Sequence, residues 1–144
     1  MRVATPCIGL CSTTLGDLVC RGCKRYIHEI VGWNGFTVGQ QRIVIARLDT
    51  LREESFRVHA VVIDAARLDV VATALRMTTT ASDDVRAFEV LRRTAHRWQS
   101  LHDIGCRALG AELDPPRLRN AIETEFLQRS QAHYEHDFRV PAGP

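Results

Sequence analysis

The stretch Thr5-Pro6-Cys7-Ile8-Gly9-Leu10-Cys11, followed by Leu18-Val19-Cys20-Arg21-Gly22-Cys23, decides how the N-terminal part of this chain folds. Its spacing is C-x3-C-x8-C-x2-C, which packs four thiols into seventeen residues. Thiolates brought together by two tight turns can surround one metal centre without help from the rest of the fold. Few large apolar residues lie in this segment, so metal binding and folding are expected to be coupled there. Cys7, Cys11, Cys20 and Cys23 are the candidate ligands, and Gly22 is expected to give the second turn its positive φ. Arg21, Lys24 and Arg25 flank the second pair. Cations there would partly neutralise the formal charge of about −2 that four thiolates leave on Zn(II) or on a [4Fe-4S] cluster, and would lower the thiol pKa values. The competing possibilities are four reduced cysteines in a small core, or disulfides. Paired close spacings with flanking glycines weigh against the first, and a reducing compartment against the second. Cys106 is left over.

Composition bounds the rest. At 144 residues the chain fits one ordinary domain, or a small module with a helical extension. Apolar residues make up 45% and aromatics 6%, with a mean hydropathy of −0.13, as in a soluble globular protein with an aliphatic core. Nineteen basic against seventeen acidic side chains leave a net charge of +2, too small to imply nucleic acid or a membrane as a partner. No apolar run approaches the roughly 20 residues a bilayer span needs. The residues Met1-Arg2-Val3-Ala4-Thr5-Pro6 lead into cysteines rather than into a signal sequence, so a cytoplasmic protein is expected.

Apolar residues recur three and four apart through most of the chain, which predicts a mainly α fold. A short stripe of Ile27, Ile30 and Val31 is followed by Gly32, where a left-handed C-cap should stop the helix before Trp33. Thr37 and Gln40 have capping-box spacing, and Val44, Ile45, Leu48 and Leu51 share one face of the helix they would start, at roughly 38–54. The β-branched run from Phe56 to Ile63 suits a strand or a helix start. From Asp64, the stripe Leu68, Val71, Ala72, Leu75 predicts a helix ending at Thr78-Thr79-Thr80. Ser82 should cap one long helix with Asp83 and Asp84 in its first turn and Val85, Phe88, Leu91, Ala95, Trp98 and His102 on its buried face, stopping near Gly110. Asp114 and Pro115 pair as N-cap and first-turn proline of a last helix through Leu118, Ile122 and Phe126 to about Asp137. The expected architecture is an N-terminal four-cysteine metal knot with short helices over 1–54, a small helical bundle over 55–140, and a tail at 141–144.

The residues Pro-Cys-Ile-Gly-Leu-Cys, then Leu-Val-Cys-Arg-Gly-Cys-Lys-Arg, then Glu29-Ile30-x-x-Trp33 and the Gln-Gln-Arg helix resemble the DUF 1289 family from Thr5 to about Leu51. Those are short bacterial proteins described as predicted Fe–S proteins without an established activity. The resemblance implies a cysteine-liganded metal module with Cys7, Cys11, Cys20 and Cys23 at the ligand positions. Lys24 departs from it, since glycine is expected there. From Ser55 onward no family resemblance is found.

Zinc sites favour two C-x2-C knuckles, whereas a cubane tolerates irregular spacing, so the x3 gap favours an iron–sulfur cluster, with Zn2+ as the alternative. Other clusters are weaker. His102 and Cys106 stand four apart on the predicted long helix, where core packing explains them. His133, His136 and Asp137 suit a solvated helix end, and His28 is a marginal substitute ligand. No glycine-framed serine, cysteine–histidine pair, apolar carboxylate pair or phosphate loop has a local signature, so no catalytic residue is assigned. Three functions remain, in descending order: a redox or adaptor module whose helical region binds a protein partner, a zinc-stabilised nucleic-acid-binding or regulatory module, and a metalloenzyme. Residues 1–54 carry seven basic and five acidic side chains, and a metal centre of about −2 cancels that surplus, which disfavours nucleic acid. Arg92, Arg93 and Arg97 are expected on a solvated face, with Glu89 engaging Arg93 at i,i+4.

Overall fold

The computed structural model describes residues 3–9, 11–77, 81–111 and 113–138. Within them the chain is mainly helical, as the three-and-four spacing predicts, with five α-helices and two short strands. It divides into two compact units, Met1–Leu51 with Phe126–Pro144, and Arg52–Glu125.

In the first unit a single 3-10 turn, Ser12–Leu15, ends at Gly16 with φ 99. The chain then doubles back so that Val19 pairs antiparallel with Tyr26. The hairpin between them is closed by Cys20 N donating to the Arg25 carbonyl at 3.0 Å and Lys24 N to the Cys20 carbonyl at 2.9 Å. Its left-handed residue is Lys24, φ 63, and Gly22 is not among the positive-φ positions. The expectation for Gly22 is therefore corrected: the reversal falls after the second cysteine rather than between the two.

Helix α1, Ile27–Gly32, is only six residues long, and Glu29 rather than the apolar stripe is its buried side chain, with Val31 81% exposed. It passes straight into a 3-10 turn, Trp33–Gly35. Gly32 is right-handed, φ −88, and so does not act as a left-handed cap. A Cβ at this position would meet Phe36 Cε1 at 2.8 Å, so a larger residue requires the Phe36 ring to shift.

Helix α2, Val38–His59, begins at the predicted box. Thr37 N donates to Gln40 Oε1 at 2.8 Å and Gln40 N to Thr37 Oγ1 at 3.1 Å, so two amides that lack helical partners are satisfied reciprocally. Val44, Leu48 and Leu51 are buried, while Ile45 is half-buried. The helix runs past the predicted residue 54 because Phe56 extends the apolar stripe and no glycine or proline interrupts it. The unit is completed by the later part of helix α5, Pro115–Phe138, which buries Phe126 and Ser130. The Ser130 hydroxyl donates to the Phe126 carbonyl at 2.8 Å, a bond that lets a polar residue sit inside.

In the second unit the ambiguous run 56–63 takes both forms. Its first part finishes α2, and Ala60–Val62 forms β1, paired antiparallel with β2, Cys106–Ala108, in the register Ala60↔Ala108, Val61↔Arg107, Val62↔Cys106. Between the strands lie α3, Ala65–Ala74, capped by the Asp64 carboxylate on Arg67 N at 3.0 Å, and α4, Asp83–Thr94, capped by Ser82. The Ser82 cap matches expectation, and α3 starts at the expected Asp64, which turns out to cap it. The core gathers Phe56, Leu68, Ala72, Val85, Phe88, Leu91, Leu118 and Ile122. Asp114 opens α5 as predicted, its Oδ1 accepting from Arg117 N at 2.9 Å.

The single long helix from Ser82 to Gly110 is corrected. It stops at Thr94, φ −139, where the Thr94 oxygen accepts from Trp98 Nε1 at 2.8 Å while its hydroxyl donates to the Val90 carbonyl at 2.7 Å. Two 3-10 turns follow, the second capped reciprocally by Ser100 and Asp103. His102 is thereby exposed instead of on a buried stripe.

At Gly105, φ 77, a Cβ would stand 2.3 Å from the Asp64 carbonyl oxygen, and that same turn supplies the acceptor for Ile63 N and Asp64 N. Left-handed strain and a backbone clash add, so Gly105→Ala should destabilise the protein by about 2 kcal/mol or more. Urea unfolding checks this: an unshifted midpoint would contradict the packing at the β1–α3 corner.

Candidate metal centre

The four cysteines lie in a loop that positions two of them firmly. Cys20 and Cys23 are 1% and 2% exposed, whereas Cys7 is exposed and Cys11 half-buried. Among the described residues no three His, Cys, Asp or Glu side chains come together closely enough to hold one ion. The structure thus brings together the second cysteine pair, and does not bring Cys7 and Cys11 onto it.

Hydrogen-bond donors lie close to each of three sulfurs. Gly9 N donates to Cys7 Sγ at 3.4 Å, and Cys11 Sγ shares a hydrogen bond with Thr13 Oγ1 at 2.9 Å. The backbone N–H groups of Cys23, Ser12 and Gly22 lie near enough to Cys20 to favour its charged form. Burial would push that thiol up, but these donors together bring it down to about 7. Ser12 follows Cys11 directly, so one of these donors comes from the first cysteine turn itself. At Cys23, burial pushes the thiol up despite Arg25, whose Nε donates to the sulfur at 3.3 Å.

Arg25 is 4% exposed, its guanidinium lying 4.9 Å from the Trp33 ring. Among the described residues it has no carboxylate in ion-pair contact, and its anion-capable neighbour is the Cys23 sulfur. A buried cation needs a counter-charge, and a neutral thiol supplies none. The buried guanidinium on Cys23 Sγ is of a kind that accompanies metal–thiolate sites, but as arranged only the Cys20–Cys23 pair is assembled and the four sulfurs do not form a closed donor set.

Behind the hairpin stands a polar support that sequence patterning missed. Glu29 Oε1 accepts from Tyr26 N at 2.8 Å, and its carboxylate takes the Arg47 guanidinium in two bonds of 2.5 and 2.7 Å. Arg47 stacks 4.0 Å over the Tyr26 ring. Tyr26 also meets Tyr134 and Phe138 edge-on at 5.1 and 5.4 Å. The pairing of Glu29 with Arg47 was not legible, because it joins residues eighteen apart. The interruption of a short apolar stripe by a carboxylate three residues after Tyr26 was the available signal.

The weaker candidates are not assembled. His28 packs against Phe138 with centroids 4.9 Å apart, and His133 and His136 are exposed, His136 Nδ1 lying 2.9 Å from Asp137 Oδ1. Cys106 is buried in β2 and far from thiolate chemistry, since burial, helped by the Asp84 charge, pushes its thiol up to about 12. Arg93 does engage Glu89, at 3.7 Å, but Arg92 departs from the expected solvated face. It is largely buried between Glu89 at 2.7 Å and Glu123 at 3.3 Å.

No helix among the described residues is long and apolar enough to cross a membrane. No curated protein and no solved structure matches this chain. A family model does, over the residues that hold the cysteines, α1 and most of α2: residues 5–52 match DUF1289, a family described as a protein of unknown function.

Proposed function

We propose that residues 5–52 are a metal module with Cys7, Cys11, Cys20 and Cys23 as ligands, holding an iron–sulfur cluster of the [4Fe-4S] type. The protein then serves as a redox or adaptor module whose helical region binds a protein partner. The observation that carries this proposal is the buried Arg25 guanidinium directed at Cys23 Sγ, which calls for a lasting negative charge on that sulfur. A bound metal provides one, because a coordinating thiol stays deprotonated. The amides converging on Cys20 serve the same end. When bound, a cluster of this kind supplies one-electron redox chemistry. Ligation by Cys7 and Cys11 requires their exposed turn to close on the buried pair, which glycine at position 9, φ 91, permits.

Analysis of anaerobically purified full-length protein tests the proposal. About four iron and four acid-labile sulfide per chain are expected for the cubane, whereas one zinc without sulfide replaces the cluster with a zinc site. A folded protein holding neither metal would overturn the module.

A further inference from the structure

The strands β1 and β2 of the second unit pair with each other alone among the described residues, and the alternation of their ladder fixes which backbone groups face away. Leu109 N donates to the His59 carbonyl and Ile63 N to the Gly105 carbonyl, both at 2.9 Å. Val61 and Arg107, midway between these bonds, are therefore a hydrogen-bonded pair, and Ala60 with Ala108 is not. Ala108 turns both its N–H and its carbonyl away from β1, and neither has a hydrogen-bond partner among the described residues. This free edge borders a cavity of about 270 Å³, whose walls include Leu101, Leu113 and Pro115 as apolar groups and His102 and Arg107 as basic ones.

An uncovered strand edge is a template for one more strand, and the charges beside this one select what that strand carries. Asp114 also lines the cavity, but Arg117 takes up its charge, the Arg117 amide donating to Oδ1 at 2.9 Å and Nε lying 3.8 Å from Oδ2. Arg107 has no such counterpart. It is exposed, forms no ion pair among the described residues, and faces Val61 across the sheet. The residue of an added strand directly opposite Arg107 would share its face of the sheet, where an opposite charge is favoured. The start of α5 does not compete as a donor, because Pro115 and Pro116 have no N–H and the next amide is held by Asp114.

We propose that the outer edge of β2 docks a short extended segment of a partner protein, paired through the Ala108 backbone and carrying a carboxylate opposite Arg107. This deepens the adaptor reading, resting on its protein partner and not on its metal. The probes are end-capped peptides Thr-Val-Glu-Val-Thr, Thr-Val-Gln-Val-Thr and Thr-Val-Lys-Val-Thr, titrated into isotope-labelled full-length protein while amide resonances are followed by NMR. The Glu peptide should shift the Ala108 amide and slow its hydrogen exchange, the Gln peptide should bind about threefold more weakly, and the Lys peptide more weakly still. Arg107→Gln, a change at an exposed side chain, should erase the difference between the Glu and Gln peptides. Ala108→Pro deletes an N–H that gives nothing to β1, so it should abolish binding while the Ile63 and Leu109 amides keep their protection. Equal binding of the three peptides, a preference for Glu that survives Arg107→Gln, or no binding of the Glu peptide at millimolar concentration would overturn the proposal. So would an Ala108 shift that follows protein concentration alone, which gives the edge to a second copy, or one that acetate reproduces in full, which makes this a site for free carboxylates. A protein without iron or zinc that binds the Glu peptide would sink the metal module alone, and a metal-loaded protein that binds none of the peptides would sink this docking site alone.

Discussion

Replacing Cys20 or Cys23 by serine should abolish metal retention altogether, and Cys7→Ser or Cys11→Ser should do the same, while Cys106→Ser leaves it intact. The expectation for Cys20 and Cys23 follows from burial: a serine hydroxyl would face three amide donors or a guanidinium without the charge that thiolate brings. Cys106 differs because its thiol lies in a strand of the other unit and is held neutral. The same experiment reads the coupling of metal to folding. The first unit contains long stretches of loop around the cysteines, so metal removal should expose residues 1–35 to protease. Cleavage should extend to the end of α5, since Tyr134 and Phe138 pack on Tyr26 at the base of the hairpin. Helices α3 and α4 should survive. Full metal occupancy in Cys20→Ser, or a proteolytic pattern unchanged by verified metal removal, would contradict these expectations.

Much of the architecture was legible because local chemistry specifies it. Thr37 with Gln40, Ser82 and Asp114 each bind amides within their own turn, and Pro115 has the φ a first helical turn needs, so the start of α2, α4 and α5 could be read from neighbouring residues. The cysteine spacing is equally local. What escaped depends on partners remote in sequence. Strands of three residues, β1 and β2, have no periodicity to detect, and only their mutual pairing across more than forty residues makes them strands. The end of α4 is set by a threonine hydroxyl that serves the Trp98 indole, a side-chain contact no apolar count reveals. Lys24 shows the same limit at the site. Its flanking charge was visible, but its left-handed backbone and its burial against Phe126 come from tertiary structure.

A consequence for the cysteine module is that its organisation rests on directional polar contacts as well as on ring packing. Val19 and Tyr26 close the hairpin, and besides the rings of Tyr134 and Phe138 the groups that fix Tyr26 are the Glu29 carboxylate on its amide and the stacked Arg47 guanidinium. Such contacts are directional, so they hold a turn in one geometry, which a ligand loop requires and a purely apolar cluster would not guarantee.

Glu29→Ala should therefore be among the most destabilising single changes in this protein, at about 3–5 kcal/mol, as expected when one partner of a buried ion pair is removed. Two losses combine. The Tyr26 amide loses its acceptor at the start of α1, and Arg47, mostly buried, loses its two short bonds and keeps only the more distant charge of Asp137. Burial alone disfavours the charge on Arg47, and its pKa is nonetheless raised because the Glu29 hydrogen bond and charge more than offset that penalty. Removing Glu29 reverses the balance. Glu29→Gln keeps an acceptor for Tyr26 N and should be milder, and Glu29→Ala combined with Arg47→Met should recover a large share of the loss, because no stranded charge remains. Equilibrium urea unfolding of the three variants against the parent, each at equal metal loading, separates the contributions. A Glu29→Ala penalty within about 0.5 kcal/mol, the range of ordinary surface substitutions, would show that this pair does not hold the hairpin to α2.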